Sequence, residues 1–412
     1  MLWGVVNMDV LFVSSKYHPY VGGVQTQMRI VAQALTCRHR VEVATLLPDH
    51  DSYLDGAIAV HSLKLSVTDT WRMRLLGLLP KRQRNVRCWL GYQLYRSIFL
   101  PKLRPLVRGK HVVHALKTEF LSRIAAEAAR LEGVPFALTP YIHPSNDART
   151  TIKQRAEAAF CNRADTVFAL LETDREMLVD LGVERKRIRL AGVMPLLPPT
   201  SDPEGFRARH GLGQKPIVLF IGRMLETKGF KTLVDAASHV WREMPDVQFV
   251  FAGPADESAL SWFADRGDQR IRYLGLIDEE EKGDALAACD LFCMPSTAEI
   301  LPAVYLEAWN YGKAVIGGSA HGLRELIEEN GGGLTVRQHP ELLASRLVEL
   351  LRDEPRRLQM GKRGRELVAR RFSPTALVNA VENAYEALHA ARANEASNTQ
   401  QVEVGRNQPI HA

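Results

Sequence analysis

Glu299 and Glu307 stand eight residues apart in Glu299-Ile300-Leu301-Pro302-Ala303-Val304-Tyr305-Leu306-Glu307. A helix is predicted to begin at Pro302, whose fixed φ suits the first helical position and whose missing N–H would have had no intrahelical partner. Glu307 then falls on the second turn and Glu299 lies before the helix. Between them the N–H groups of Ala303 and Val304 point outward at the positive end of the helix dipole, a site that suits a diphosphate. A carboxylate one turn on can accept two hydrogen bonds from a ribose-like diol, and one upstream can accept from hydroxyls beyond the phosphates. On spacing alone the simpler explanation is a solvated pair flanking a helix.

The flanking residues shift that balance. Ala288 to Ser296 reads as a short buried strand closed by a Pro-Ser turn, and Lys313 to Gly318 as the next strand, so Glu299 sits just beyond a strand's carboxyl end. Ligands of open parallel sheets bind there. Upstream, the apolar run from Ile217 to Ile221 delivers Arg223 and Lys228 to a single loop before a helix at Lys231 to Val240. A planar guanidinium fork and an ammonium point charge together suit phosphate oxygens, although two cations on a loop are also an ordinary surface. Near the start, the strand Asp9 to Ser15 leads through Gly22-Gly23 into a helix from about Gln25 to Leu35. Two glycines let the backbone approach an anion without a Cβ in the way, and a plain turn would read the same.

Taken in this order, the stretches resemble the retaining GT-B glycosyltransferases of family four, relatives of the glycogen and sucrose synthases. The resemblance implies an α/β chain of two Rossmann-like, doubly wound domains facing a central cleft, and a nucleotide-sugar as donor. It implies that Gly22 and Gly23 lie near the donor diphosphate, that Arg223 and Lys228 bind its phosphates, and that Glu299 orients sugar hydroxyls while Glu307 holds the ribose. Ala303 and Val304 would meet the diphosphate. Leu276 and Ile277 would meet the nucleobase through their backbone, with a core position as the other reading. Pro135 to His143 resembles the strand that brings a His, here His143, beside the transferred sugar. His114, at another strand end, would stand behind the site at most. Two departures are plain: Leu301-Pro302 stands where many members have Phe-Gly, which removes one phosphate donor, and Glu172-Thr173 stands where many have Ser-Glu.

The elements needed to position these residues are present. The 412 residues, 46% hydrophobic and 24% charged, suffice for two cores. Alternating apolar strands and helical stretches argue for parallel sheets covered on both faces. The proline-rich segment from Met194 to Pro203 marks a boundary. We therefore expect an acceptor-side domain over residues 1–195, a linker over 196–203, a donor-binding domain over 204–373, a helix over 374–393 that packs back on the first domain, and a polar, aperiodic, disordered tail over 394–412.

Five cysteines, Cys37, Cys88, Cys161, Cys289 and Cys293, form neither a disulfide framework nor a metal-ligand spacing. With no convincing Asp-x-Asp metal motif either, the expected chemistry uses no metal and no cofactor, the nucleotide-sugar being a substrate. The apolar N-terminus lacks a basic leader and a cleavage site, and Met8 is a second candidate start. No run of 18 apolar residues occurs, so the expected location is cytoplasmic. From Trp71 to Thr118 there are twelve Lys or Arg and no acid. Val86, Leu90, Leu94 and Ile98 form an apolar stripe between Arg87 and Arg96, which suits either an anionic membrane surface met through residues 71–110 or a helix packed on its own domain with a solvated basic face. No motif for nucleic acid accompanies the charge.

The expected activity is transfer of a hexose from a nucleotide-sugar to an acceptor hydroxyl with retention, in cell-envelope glycolipid or polysaccharide synthesis, the acceptor being a glycan or lipid-linked. A front-face reaction of this kind needs no protein nucleophile. The rival readings are another GT-B enzyme, a nucleotide-sugar epimerase or a phosphorylase, and a non-catalytic nucleotide-sugar-binding protein.

Overall fold

The computed structural model describes residues 7–20, 22–47, 50–77, 84–144, 148–196, 198 and 200–406. Its backbone forms two parallel sheets in two compact units. The first unit takes Met1–Ala169, Leu178–Ala191 and Val378–Ala412, the second Leu170–Met177 and Gly192–Leu377.

In the first unit, β1 (Asp9–Ser14), β2 (Arg40–Thr45), β3 (Tyr53–Asp55), β4 (Ile58–Ser62), β5 (Val112–Leu116), β6 (Phe136–Thr139), β7 (Thr166–Ala169) and β8 (Ile188–Leu190) lie in the order β3-β4-β2-β1-β5-β6-β7-β8. All pairs are parallel except the β3–β4 hairpin. The near-continuous apolar runs are what a sheet buried on both faces demands: Val10 to Val13 are each at most 1% exposed. The chain winds outward from β1 to one side, then returns to place β5 on the other, so the strand order reverses between β1 and β5.

The second unit repeats the plan with β9 (Ile217–Ile221), β10 (Gln248–Ala252), β11 (Ile271–Tyr273), β12 (Leu291–Met294), β13 (Ala314–Gly317) and β14 (Gly333–Thr335), ordered β11-β10-β9-β12-β13-β14. Here the reversal falls between β9 and β12. A crevice opens outside the carboxyl ends at such a seam.

The last helix extends past its expected end at residue 393, and residues 407–412 of the expected tail lie outside the described residues. It runs unbroken over Pro374–Arg406, through the segment read as disordered. Residues 394–404 are polar but contain neither Pro nor Gly, and Ala, Glu and Gln keep helix propensity adequate. From Val378 onward this helix belongs to the first unit, where Glu382 takes Arg38 and His39 at 2.8 Å each and the Tyr385 hydroxyl meets His114 Nδ1 at 2.7 Å. The unit boundary falls at Gly192, ahead of the proline-rich stretch chosen from sequence, and the segment Leu170–Met177, which opens the helix Glu172–Asp180, joins the second unit. There the Thr173 and Glu172 amides donate to the Glu325 carboxylate at 2.7 and 3.1 Å.

The basic stretch takes the second of its two expected forms, a helix packed on its own unit. The helix Arg84–Val107 packs against the helix Phe120–Leu131, burying Ile98, Phe99 and Leu103. Its cations find acids from distant sequence: Arg96 binds Glu127, Arg104 and Arg108 share Glu132, Lys110 binds Glu42, and Lys102 lies 3.9 Å from Asp69. Local acid depletion is therefore largely offset in space over residues 96–110. Lys81 and Arg82 lie outside the described residues, as do the side chains of Arg74, Arg84 and Arg87. Among the described residues no helix is long and apolar enough to cross a membrane.

Candidate functional site

In the second unit the seam between β9 and β12 gathers the predicted cations and the first carboxylate. β9 ends at Ile221, and Gly222 and Arg223 follow. A short turn over Glu226–Lys228 then leads through Gly229 into the helix Phe230–Trp241. Gly229 is needed: its φ is 82°, and a Cβ there would stand 2.6 Å from both Cγ and the carbonyl oxygen of Pro295. That close approach lets the β9 and β12 loops bond directly. The Thr297 amide and the Ser296 hydroxyl both donate to the Thr227 carbonyl, at 2.8 and 3.0 Å. Across these loops the Lys228 ammonium bonds the Glu299 carboxylate, which is only 7% exposed. Arg223 is exposed, and among the described residues its guanidinium makes no ion pair.

The helix after Glu299 spans Ala303–Asn310, with Pro302 as its N-cap at φ −77° and ψ 113°. Pro302 was expected as the first helical residue. Its extended ψ leaves it one step outside, and no side chain caps the terminus. The amides of Ala303 and Val304 thus have no intrahelical acceptor, and Glu307 falls on the second turn. Tyr305, fully buried, anchors the helix by donating to the Met294 carbonyl at 2.5 Å.

Glu307 is 5% exposed and lies 3.1 Å from Lys282 Nζ, a partner that the linear sequence does not reveal. Lys282 also meets Glu279 at 2.5 Å. Burial alone would lower the Lys282 pKa, but the charges of Glu307 and Glu279 outweigh it and raise it above the ordinary value. Lys282 sits on the helix Glu279–Ala288, which follows the loop carrying Leu276 and Ile277. It thereby couples the proposed base loop to the proposed ribose carboxylate. Leu276 is 80% exposed, so it is not a core residue, and Ile277 is half-buried.

The first unit holds the remaining candidates. Gly22, at φ 172°, is the N-cap of the helix Gly23–Leu35. A Cβ on Gly22 would meet only the flexible end of Gln25, at 2.5 Å, and one on Gly23 would meet nothing within 4 Å. Packing within the chain does not account for a glycine at either position. His143 is exposed and follows β6, and its carbonyl accepts from Gln154. His114 is a core group: its Nε2 lies 2.8 Å from the Thr139 hydroxyl, and burial pushes its pKa down to about 3, which keeps it neutral. All five cysteines are free thiols, with Cys161, Cys289 and Cys293 buried. Burial raises the Cys289 thiol to about 12, as expected of a core residue.

Comparison with known proteins identifies the family and the fold. Residues 203–367 match the family described as glycosyl transferases group 1, and residues 22–193 match the glycosyl transferase 4-like domain. A phosphatidyl-myo-inositol mannosyltransferase of Mycobacterium tuberculosis is 30% identical over 388 residues, covering 89% of this chain and 93% of its own. An alpha-D-kanosaminyltransferase of Streptomyces kanamyceticus is 30% identical over 272 residues, covering 60% of this chain and 69% of its own. Among solved structures, sucrose-phosphate synthase from Thermosynechococcus elongatus superposes with a TM-score of 0.72 at 20% identity, over 93% of this chain and all (100%) of that one. HepE of Anabaena, in complex with UDP and glucose, gives 0.69 at 19% identity, over 92% and 100%. At such identities these structures speak to the fold, which is GT-B.

Proposed function

The chain belongs to the group 1, family-four-like glycosyl transferases, and we propose that it moves a hexose from a nucleoside-diphosphate sugar to the hydroxyl of a lipid-linked or glycan acceptor with retention. The observation that carries this reading is the Lys228–Glu299 pair at the seam of the second sheet, flanked by the exposed Arg223 and the uncapped helix at Ala303. Arg223 and Lys228 follow β9, and Glu299 and the helix terminus at Ala303 follow β12, which supports a diphosphate at this seam with a carboxylate for sugar hydroxyls.

In this reading the chemistry is electrostatic. As the glycosidic C–O bond breaks, negative charge grows on the departing diphosphate, and preorganised donors aimed at that charge lower the barrier. Arg223 and Lys228 supply full charges, and the Ala303 and Val304 amides supply dipoles. The acceptor oxygen enters on the face the phosphate leaves, and its proton passes to a phosphate oxygen. Glu299, fixed by Lys228, accepts from sugar hydroxyls, and Glu307, fixed by Lys282, accepts from the ribose diol. Gly22 and Gly23 give a diphosphate room to approach the first unit's helix. His143 stands beside the transferred sugar, and the loop at Leu276 and Ile277 takes the base.

The relatives named above include a phosphatidyl-myo-inositol mannosyltransferase, which supports a glycolipid acceptor. Thermal-shift measurement against GDP-, UDP- and dTDP-sugars tests the donor, since a ligand that binds only the folded state raises the melting temperature. Product analysis with lipid extract and the stabilising donor then tests transfer, and the anomeric proton coupling of the product tests retention. A donor that binds but is neither transferred nor slowly hydrolysed would replace the enzyme reading with a sensor.

A further inference from the structure

On the first unit, at the amino end of its sheet, lies a cavity of about 480 Å³, within the roughly 300–1,000 Å³ range of small-molecule sites. It is edged by Phe136, the first residue of β6, and Asp165, just before β7, with one wall from the helix Phe120–Leu131. His143 follows the opposite, carboxyl end of β6, so the cavity stands apart from the candidate site.

Three guanidiniums line it, those of Arg123, Arg130 and Arg163, and among the described residues none makes an ion pair. The carboxylates nearby are already engaged. Glu127 is taken by Arg96 through three contacts of 2.5 to 3.0 Å. Asp165 accepts from the Phe136 amide at 2.8 Å, and Glu157 lies 3.6 Å from Lys153. Arg123 is half-buried over the Phe160 ring at 4.6 Å. Both burial and the neighbouring charge of Arg163 work against its protonated form. Like charges brought together in a partly desolvated cavity cost free energy unless an anion joins them.

We propose that this cavity is a second anion site, which binds the phosphate group of an organic phosphate between Arg123, Arg130 and Arg163, with Tyr92 and Phe136 offering apolar surface to the rest of the ligand. Arg163 and Arg130 are exposed at the rim and set the approach, while Arg123 forms the floor. A phosphate has enough acceptor oxygens for all three forks, and bidentate pairing with guanidinium is its strongest recognition mode. The same chemistry could reach the cavity from a soluble phosphate ester or from an anionic lipid headgroup.

The test uses the full chain carrying Arg223→Ala and Lys228→Ala, which silences the seam of the second unit. Inorganic phosphate is titrated by thermal shift, with sodium chloride holding ionic strength constant. The expected result is saturable stabilisation by phosphate, weakened about tenfold or more by Arg163→Gln, as loss of one charge-assisted partner implies. The unliganded melting temperature of Arg163→Gln should equal or exceed its parent's, because a like charge beside Arg123 is gone. Arg130→Gln should weaken phosphate in the same way. Absence of phosphate stabilisation in the parent, or stabilisation that ignores both substitutions, overturns the proposal. Sedimentation with phosphatidylcholine vesicles, with and without phosphatidylglycerol, identifies the source. Retention by the anionic vesicles that Arg163→Gln abolishes assigns the phosphate to a lipid headgroup. Phosphate binding without retention assigns it to a soluble ester.

Discussion

Lys228 and Glu299, from loops that follow two different strands, form one ion pair across the reversal of strand order between β9 and β12. The acid is the more buried partner, with 9% of its side chain exposed against 23% for the lysine. The lysine therefore does two jobs in the proposed site: it holds the carboxylate in place, and it brings positive charge to the seam where Arg223 adds a second. Contact between the two loops, not spacing along the chain, brings the pair together. Gly229 and the hydrogen bonds to the Thr227 carbonyl bring the loops together.

Lys228→Ala and Arg223→Ala are each expected to lower turnover by roughly 10²–10³-fold, the usual cost of losing one charge-stabilising donor, with circular dichroism unchanged. The Lys228 effect has a further signature. Removing the lysine strands a buried carboxylate, so Glu299→Gln on top of Lys228→Ala should recover stability lost by the single variant, a non-additivity expected of groups in contact. Near-wild-type turnover in both alanine variants would remove the phosphate assignment.

Much of this architecture is legible in the sequence. The strand at Ile217 to Ile221 and the helix at Ala303 are marked by apolar runs and by a proline, both local signals. Lys282 was not legible as the partner of Glu307, because nothing local distinguishes it from the acidic, solvated turn around it; only the packing of two helices sets their separation. The ion pairs of the basic stretch were hidden for a related reason. Their acids, Glu127, Glu132 and Glu42, come from elsewhere in the unit, and linear charge counting does not see them. The last helix outran its predicted end because the tail's polarity hid an adequate helix propensity.

Lys282 gives the ribose reading a test that does not touch Glu307 itself. If Glu307 binds the ribose equally in ground and transition states, Glu307→Gln should raise the donor KM and leave kcat nearly unchanged. Lys282→Met frees the Glu307 carboxylate from its partner and should shift KM in the same direction, with the pair together costing less than the sum. A normal donor dissociation constant in Glu307→Gln would leave that carboxylate with a purely structural role.

Treatment with EDTA followed by desalting is expected to leave turnover essentially unchanged, because Arg223, Lys228 and the helix terminus at Ala303 already supply the positive charge that a divalent ion would bring. Initial rates before and after treatment, with added Mg²⁺ or Mn²⁺ as a control, measure this. Loss of activity that a divalent ion restores would mean that the cations alone do not carry the diphosphate.

The second unit should also be more stable in mild acid than at neutral pH, through Asp174. Its carboxyl is 5% exposed, and burial, opposed by bonds from the Leu171 and Leu170 amides and reinforced by the charge of Glu325, raises its pKa from 3.8 to about 7. Between those two values the folded chain holds a proton that the unfolded chain has released. Stability is therefore fully present below about pH 4 and is lost as pH rises toward 7, by about 4 kcal/mol at most on the linkage relation. Other groups titrate in the same range, so the informative comparison is with Asp174→Asn. The amide oxygen of Asn can still accept from the Leu171 amide, which lies 3.1 Å from the present carboxylate, but it carries no charge to bury. Asp174→Asn should raise the denaturant midpoint strongly at pH 8, less at pH 5, and have little effect at or below about pH 4. If the substitution instead destabilises equally at pH 8 and pH 4, Asp174 is ionised in the folded state and serves as an ordinary charged cap of its helix.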